Sequence, residues 1–304
     1  MKPASVVLIA LASAALGAVL GGAYVARRDG AAAPAPPDTA VAAASQATAP
    51  AHDASAALPD YVSLGSERVS FEALRRRAAS DPAFLRGLMQ RYRDQTEPVA
   101  RGELLALLNA VSGEEVLRFA LSLTASTRAE DERDGLALLA AYPMDRAEVR
   151  DTLLAKLGQG GDPQRMGELV AMLTPATMAS EDAAPVIAEL ATLARHPDPA
   201  LRAQAVLQLA QWDDGEQAED LLHRAILDPS AEVRAKAIAG IQGSHIRSDR
   251  LKEALLAIAA DPASSAADRG AATFALQQFR LNRAEYGIWR RAQAQADADS
   301  GEGG

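Results

Sequence analysis

The sequence predicts an all-α protein: a right-handed α-solenoid of about six helix pairs with terminal capping helices, preceded by an N-terminal transmembrane helix. Three observations predict it. Aromatic residues number only 12 of 304 while alanine and leucine dominate, and these two lose little freedom in a helix, whereas sheets favour β-branched and aromatic side chains. An arginine recurs at near-constant spacing through the middle of the chain, at the head of an apolar stripe of helical period that only Glu168 breaks. A long uncharged run lies at the N-terminus.

That run is residues 3–26, PASVVLIALASAALGAVLGGAYVA, flanked by Lys2 and by Arg27 and Arg28. At about 1.5 Å per residue it makes a helix of about 36 Å, enough to cross a hydrocarbon core of about 30 Å. Residues 1–28 therefore read as a membrane anchor; a signal peptide cleaved near Gly21-Gly22-Ala23 is the alternative. The positive charges on its two sides nearly balance, so they do not fix its orientation. Residues 29–60 contain 14 Ala and 5 Pro without amphipathic period, the composition of a disordered tether. This layout resembles that of many bacterial periplasmic proteins, which implies a single-pass inner-membrane protein with its body in the periplasm. Residues 61–296 form that body, and the acidic, Gly-rich residues 297–304 read as a disordered tail.

Self-similarity organises the body. LRAQAVLQLA from Leu201, VRAKAIAGIQ from Val233 and DRGAATFALQ from Asp268 align, with alanine three residues after the arginine (Ala205, Ala237, Ala272) and an aliphatic at seven (Leu209, Ile241, Leu276). The same template finds Arg101, Arg133 and Arg165, so the six arginines are 32, 32, 37, 32 and 35 residues apart. Positions three, four and seven along share one helical face. Five Asp-Pro steps (Asp81, Asp162, Asp198, Asp228, Asp261) supply capping carboxylates followed by a residue suited to the first helical turn. Ser112 with Glu115 and Thr127 with Glu130 read as capping boxes. The spacing predicts helix pairs at 82–94 with 97–110, 113–125 with 128–142, 145–158 with 162–173, 183–195 with 199–211, 216–227 with 231–242 and 250–260 with 266–279. Helices near 67–79 and 283–296 close the ends.

HPDPALRAQAVLQLAQ from His196 and LDPSAEVRAKAIAGI from Leu227 resemble HEAT repeats, in particular the short bacterial HEAT-like type first associated with phycobilisome lyases. The likeness is specific across 181–279 and rests on spacing across 82–173. It implies a ladder of hydrogen bonds between turn acids and second-helix arginines, with Asp94/Arg101, Asp162/Arg165, Asp198/Arg202, Asp228/Arg234 and Asp261/Arg269 as the matching pairs. In the unit of Arg133 the acid is Asp131. The resemblance also implies that the second helices line a concave face. That makes Gln204, Gln208, Gln211, Lys236, Gln242 and Gln277 candidates to meet a protein partner.

Motifs for chemistry are sparse. Cysteine is absent, which excludes disulfide scaffolds, zinc–cysteine sites, thiol nucleophiles and lipoprotein acylation. The four histidines (His52, His196, His223, His245) lack metal-ligand spacing. Gly158-Gln159-Gly160-Gly161 reads as an inter-helix turn, since neither a preceding strand nor a following Lys-Ser/Thr accompanies it. No cofactor or metal is expected. Net charge is −9, of which residues 61–296 carry −5, an unfavourable balance for a phosphate-backbone partner, so no nucleic acid is expected. The arginines at 75, 76, 77, 86, 91 and 93 are readable either as a solvated face or as a contact for anionic lipid or an acidic partner. Trp212 and Trp289 are expected at seams between repeats.

The expectation is a non-enzymatic, membrane-tethered scaffold or adaptor that binds another protein on its concave face. A steric chaperone for an exported protein is the alternative, because anchor, tether and helical body resemble the layout of lipase foldases, although the foldase Arg-x-x-Phe-Asp motif is missing. A lyase related to the bilin lyases stands third.

Overall fold

The computed structural model describes residues 60–64 and 67–301. Strands β1 (Tyr61–Leu64) and β2 (Glu67–Ser70) pair antiparallel with Val62 opposite Val69. The helices that follow are α1 (Phe71–Ser80), α2 (Pro82–Asp94), α3 (Pro98–Val111), α4 (Glu114–Thr124), α5 (Ala129–Leu139), α6 (Ala147–Gly158) and α7 (Pro163–Met172). The second half holds α8 (Ser180–Leu193), α9 (Pro199–Trp212), α10 (Glu216–Ile226), α11 (Ala231–Gly243), α12 (Asp249–Ala260), α13 (Ala266–Ala275) and α14 (Arg283–Gly301), with a 3-10 turn at Leu276–Gln278.

Helices joined by short turns pack as hairpins: α2 with α3, α4 with α5, α6 with α7, α8 with α9, α10 with α11 and α12 with α13. These are the six pairs that the arginine spacing predicts. Like then stacks on like. The odd helices touch in the series α1, α3, α5 and again α7, α9, α11, α13, and the even ones in the series α4, α6, α8 and α10, α12, α14. The result is two layers with the core between them, where Leu107, Leu108, Val116, Leu190, Leu209, Leu222, Ile238 and Ile241 are wholly buried. Each such side chain contributes about 1.5–3 kcal/mol over its exposed state.

Turn chemistry fixes the helix starts. Asp81, Asp162 and Asp198 cap α2, α7 and α9 by accepting N–H groups at 2.9–3.2 Å. Asp228 and Asp261 instead hold the turn, accepting from Ser230 and Ala263 two residues on, both at 2.9 Å. Ser265 takes over as the cap of α13. After α6, Gly160 and Gly161 have φ of 68° and 138°, backbone that favours glycine, so this segment is the α6–α7 turn.

Four local expectations change. The helix expected from 67 begins at Phe71, because residues 67–70 pair with 61–64 and bury Val62, and the Phe71 N–H closes the hairpin base on the Asp60 carbonyl at 3.0 Å. Neither capping box forms: α4 is headed by Gly113 and α5 by Arg128, neither with a side-chain cap. The Ser112 hydroxyl bonds the Val111 carbonyl, and Glu115 reaches across to Arg86. Helix α14 continues through residues 297–301, inside the stretch read as tail. The anchor (1–28) and all of the tether (29–60) but Asp60 lie outside the described residues, among which no helix is long and apolar enough to cross a membrane.

Small residues let the layers close. A Cβ added at Gly240 would lie 2.8 Å from the Ala210 Cβ, and one at Gly135 would lie 2.6 Å from the Thr124 backbone nitrogen. Helix α11 therefore meets α9, and α5 meets α4, with no room for a side chain at the crossing.

Candidate interaction surface

The phased arginines link one unit to the next. Arg202 on α9 donates to both carboxylate oxygens of Asp228 at 2.8 and 2.9 Å, and to the His196 carbonyl at 2.6 Å. Arg234 on α11 repeats this one unit later, reaching Asp268 at 2.7 Å and the Asp228 carbonyl at 2.9 Å. Arg101 on α3 donates to Asp131 and Asp134 of α5, both at 2.8 Å, and to the Tyr92 hydroxyl, which itself donates to Asp134.

Of the pairs the resemblance implied, Asp228 and Arg234 do bond, through the Asp228 carbonyl, while the carboxylates of the other four take different groups. Asp94 accepts from Gln90, and Asp162 caps the Arg165 backbone N–H while the Arg165 guanidinium pairs with Glu132. Asp198 caps Leu201, and Asp261 holds the Ala263 N–H while Arg269 donates to the carbonyls of Pro262 and Ser264. The reason is competition. A turn aspartate such as Asp162 or Asp198 is already taken by an N–H group of the helix that it starts, and a guanidinium is long enough to reach the neighbouring unit, so Arg101, Arg165, Arg202 and Arg234 cross the seam.

One member of the ladder escaped the template. Arg133 is exposed on α5, whereas Arg150 on α6 is buried and bonds the Met144 carbonyl at 3.2 Å and Asp182 at 3.1 Å. Arg150, Arg202 and Arg234 each take the carbonyl six residues back and an acid 26–34 residues ahead.

These acids make the fold sensitive to acid. The hydrogen bond from Arg202 holds Asp228 below the usual carboxylate range against burial. Burial pushes Asp131 and Asp268 up, but the bonds from Arg101 and Ser126 to the first, and from Arg234 and Ser265 to the second, outweigh it and leave both lowered. A carboxyl whose folded pKa is depressed stabilises fully above its unfolded value near 4 and loses that contribution as pH falls through the folded value. Thermal melting followed by circular dichroism is therefore expected to be flat from about pH 7 to 5 and to fall below about pH 4. Asp228→Asn is expected to lower the melting temperature at neutral pH and to flatten the acid fall.

The two layers present different surfaces. On the even side, ion pairs join successive units: Arg86 with Glu115 at 3.3 Å, Arg146 with Glu114 at 2.7 Å, and Arg250 with Asp220. The odd helices expose charged groups at Arg76 on α1, Arg133 on α5, and Arg165 and Glu168 on α7, but many of their other outward positions are small or uncharged. They include Val99 and Gly102 on α3, Ala137 on α5, Ala171 on α7, Gln211 on α9, Ala235, Ala239 and Gly243 on α11, and Phe274 on α13. Phe274 is 52% exposed and Val99 69%. A cleft of about 480 Å³ opens at the C-terminal ends of α9 and α11, lined by Leu207, Gln211, Trp212, Ala239, Gly243 and His245 among others.

The six candidate contacts divide. Gln211 and Gln277 are exposed, and Gln204 and Lys236 half-buried, all on odd helices or the turn that follows α13. Gln242 is also half-buried, its amide 3.5 Å from the Ala271 carbonyl of α13. Gln208 is corrected: it is 6% exposed, with its amide 3.4 Å from the Ala171 carbonyl of α7. The stripe Gln204, Gln208, Gln211 straddles the edge of the α7–α9 contact, so its middle member is sealed into the seam. Both indoles also serve seams, Trp212 donating to the Leu173 carbonyl at 2.7 Å and Trp289 to the Thr273 carbonyl at 2.9 Å. His196 accepts the Asp198 N–H at 3.1 Å, a turn role. Among the described residues, no group of three or more acidic, His or Cys side chains is arranged to hold a metal.

Stacked helix pairs with arginines bridging successive units define a helical-repeat protein. Residues 187–277, from within α8 to the turn after α13, match the family model of HEAT repeats. A search of curated proteins gave no match.

Proposed function

We propose that this protein is a membrane-tethered helical-repeat scaffold, held in the bacterial periplasm by residues 3–26, that binds another protein on its odd-helix layer and acts as an adaptor and not as an enzyme. The observation that carries the reading is the bare outward stretch of α9 and α11, set against the paired charges of the even layer. Past the first turn, the exposed residues of α9 and α11 are Gln211, Ala235, Ala239 and Gly243, a stretch that can be covered at little desolvation cost and that lets a partner backbone approach closely. The even layer presents charged groups joined across successive units, which a partner would have to strip of water and part. HEAT repeats generally mediate protein–protein interaction, and a stack of them grows an extended concave surface suited to it. The half-exposed Phe274 and the cleft beside Trp212 supply the anchor and pocket around which such interfaces concentrate their binding energy. The uncharged run and Ala/Pro spacer support the tether.

Photo-crosslinking in living cells tests the reading. A photoreactive residue at Gln204 or Lys236 is expected to give a discrete adduct whose mass spectrum identifies one protein, and a smear without a reproducible partner would contradict it. A periplasm-dependent reporter fused after Asp60 is expected to be active.

A further inference from the structure

We propose that the end of the body nearest the tether, α1 with α2, rests on anionic lipid headgroups and sets how the stack stands on the membrane. This rests on the tether proposed above. Residues 71–94 carry six arginines against three acids, a net +3, while residues 95–296 carry −8. The body is therefore polarised, with its positive end where the tether joins.

The charge there is available. Glu72 accepts both Arg75 bonds at 2.8 Å, leaving Arg76 at 3.8 Å with its side chain 72% exposed. Arg91 is exposed and makes no ion pair with any described residue. Arg77 lies 4.2 Å from the centroid of the Phe84 ring, and Arg68 lies 5.3 Å from that of Tyr61, which is half exposed. Stacked cations and amphipathic rings suit the headgroup zone, where one edge is wet and the other apolar, and a guanidinium pairs with phosphate through two parallel bonds.

Reach and sign favour a membrane over an acidic protein. In sequence α1 and α2 are the helices nearest the proposed membrane segment, which suits a contact whose field fades over about 8 Å at physiological salt. A negatively charged plane attracts the near end and repels the acidic remainder, which orients the body end-on. A freely diffusing acidic protein would meet the repulsive −8 region as well.

The chain has no cysteine, so Gln90→Cys on α2 accepts a single fluorophore, with Ala263→Cys, between α12 and α13, as the distal control. The full chain is reconstituted in phosphatidylcholine vesicles with or without phosphatidylglycerol, and quenching by headgroup-labelled lipid is measured. Strong quenching at 90 is expected only with phosphatidylglycerol, reversed by high salt and absent at 263. Arg76→Gln with Arg91→Gln is expected to lower the equilibrium constant for contact about 25-fold, at roughly fivefold per arginine, with an unchanged circular dichroism spectrum. Equal quenching in both vesicle types, or none although the chain floats with the vesicles, would overturn the proposal. So would retention of an acidic protein through Arg76 and Arg91 without headgroup contact. A chain that floats with neither vesicle type contradicts the tether itself, and the proposal with it.

Discussion

Replacing Arg101 by methionine is expected to destabilise the N-terminal helix pairs by about 3–5 kcal/mol, the usual cost of removing one partner from a buried ion pair. Arg101 is 8% exposed and stacks 4.2 Å from the centroid of the Tyr92 ring while holding Asp131, Asp134 and the Tyr92 hydroxyl. Without it two carboxylates remain in a half-buried pocket, and Tyr92, wholly buried, keeps only Asp134. Burial, then the bond to Asp134, already pushes the Tyr92 hydroxyl up, so it does not relieve the site by ionising. Urea denaturation measures the loss, and adding Asp131→Asn and Asp134→Asn to Arg101→Met is expected to recover most of it. A loss below about 1 kcal/mol, the value of an exposed pair, would show that the cluster does not join α2, α3 and α5.

Alanine at Gly135 is expected to cost about 2 kcal/mol or more, the range for overpacking a close-packed core. Helix propensity alone predicts the opposite sign, a gain of about 1 kcal/mol for glycine to alanine within a helix. The new methyl would meet the Thr124 nitrogen at 2.6 Å, the Ala120 oxygen at 2.9 Å and the Leu123 Cβ at 2.9 Å. Two of those atoms are backbone of α4 and can yield only if the helix moves. Gly102 on α3 is the control, since a Cβ there meets nothing within 4 Å; Gly102→Ala is expected to stabilise. Opposite signs for one substitution at two helical glycines would establish the close approach of α4 and α5, whereas a gain at both would contradict it.

The helix pairs were legible because they rest on local periodic signals. Apolar stripes of period 3.6 recur along the body, Asp-Pro steps stand at five of its turns, and six phased arginines mark the repeat without knowledge of its neighbours. What was not legible depends on contacts between units. Asp198 and Asp228 look alike in sequence, yet one caps α9 and the other mainly receives Arg202. Gln208 and Gln211 stand three residues apart on one helix, and only the packing of α7 decides that the first is sealed and the second open. The β1–β2 hairpin was hidden for a related reason: its strands have four residues each, too short for period-two alternation to stand out. The chemical contrast between layers could have been read from the helix ranges by comparing outward positions of alternate helices, since Ala235, Ala239 and Gly243 form a bare stripe within α11.

The claim that the odd layer is the docking face is tested most directly by crosslinking from both layers in the same cells. Photoreactive residues at Gln204, Ala239 and Gln277 are expected to capture the same protein, while those at Asp151, Ala188 and Gln217, exposed on the even helices, are expected to capture none. Capture of one common protein from the even positions, with the odd positions silent, would contradict the account.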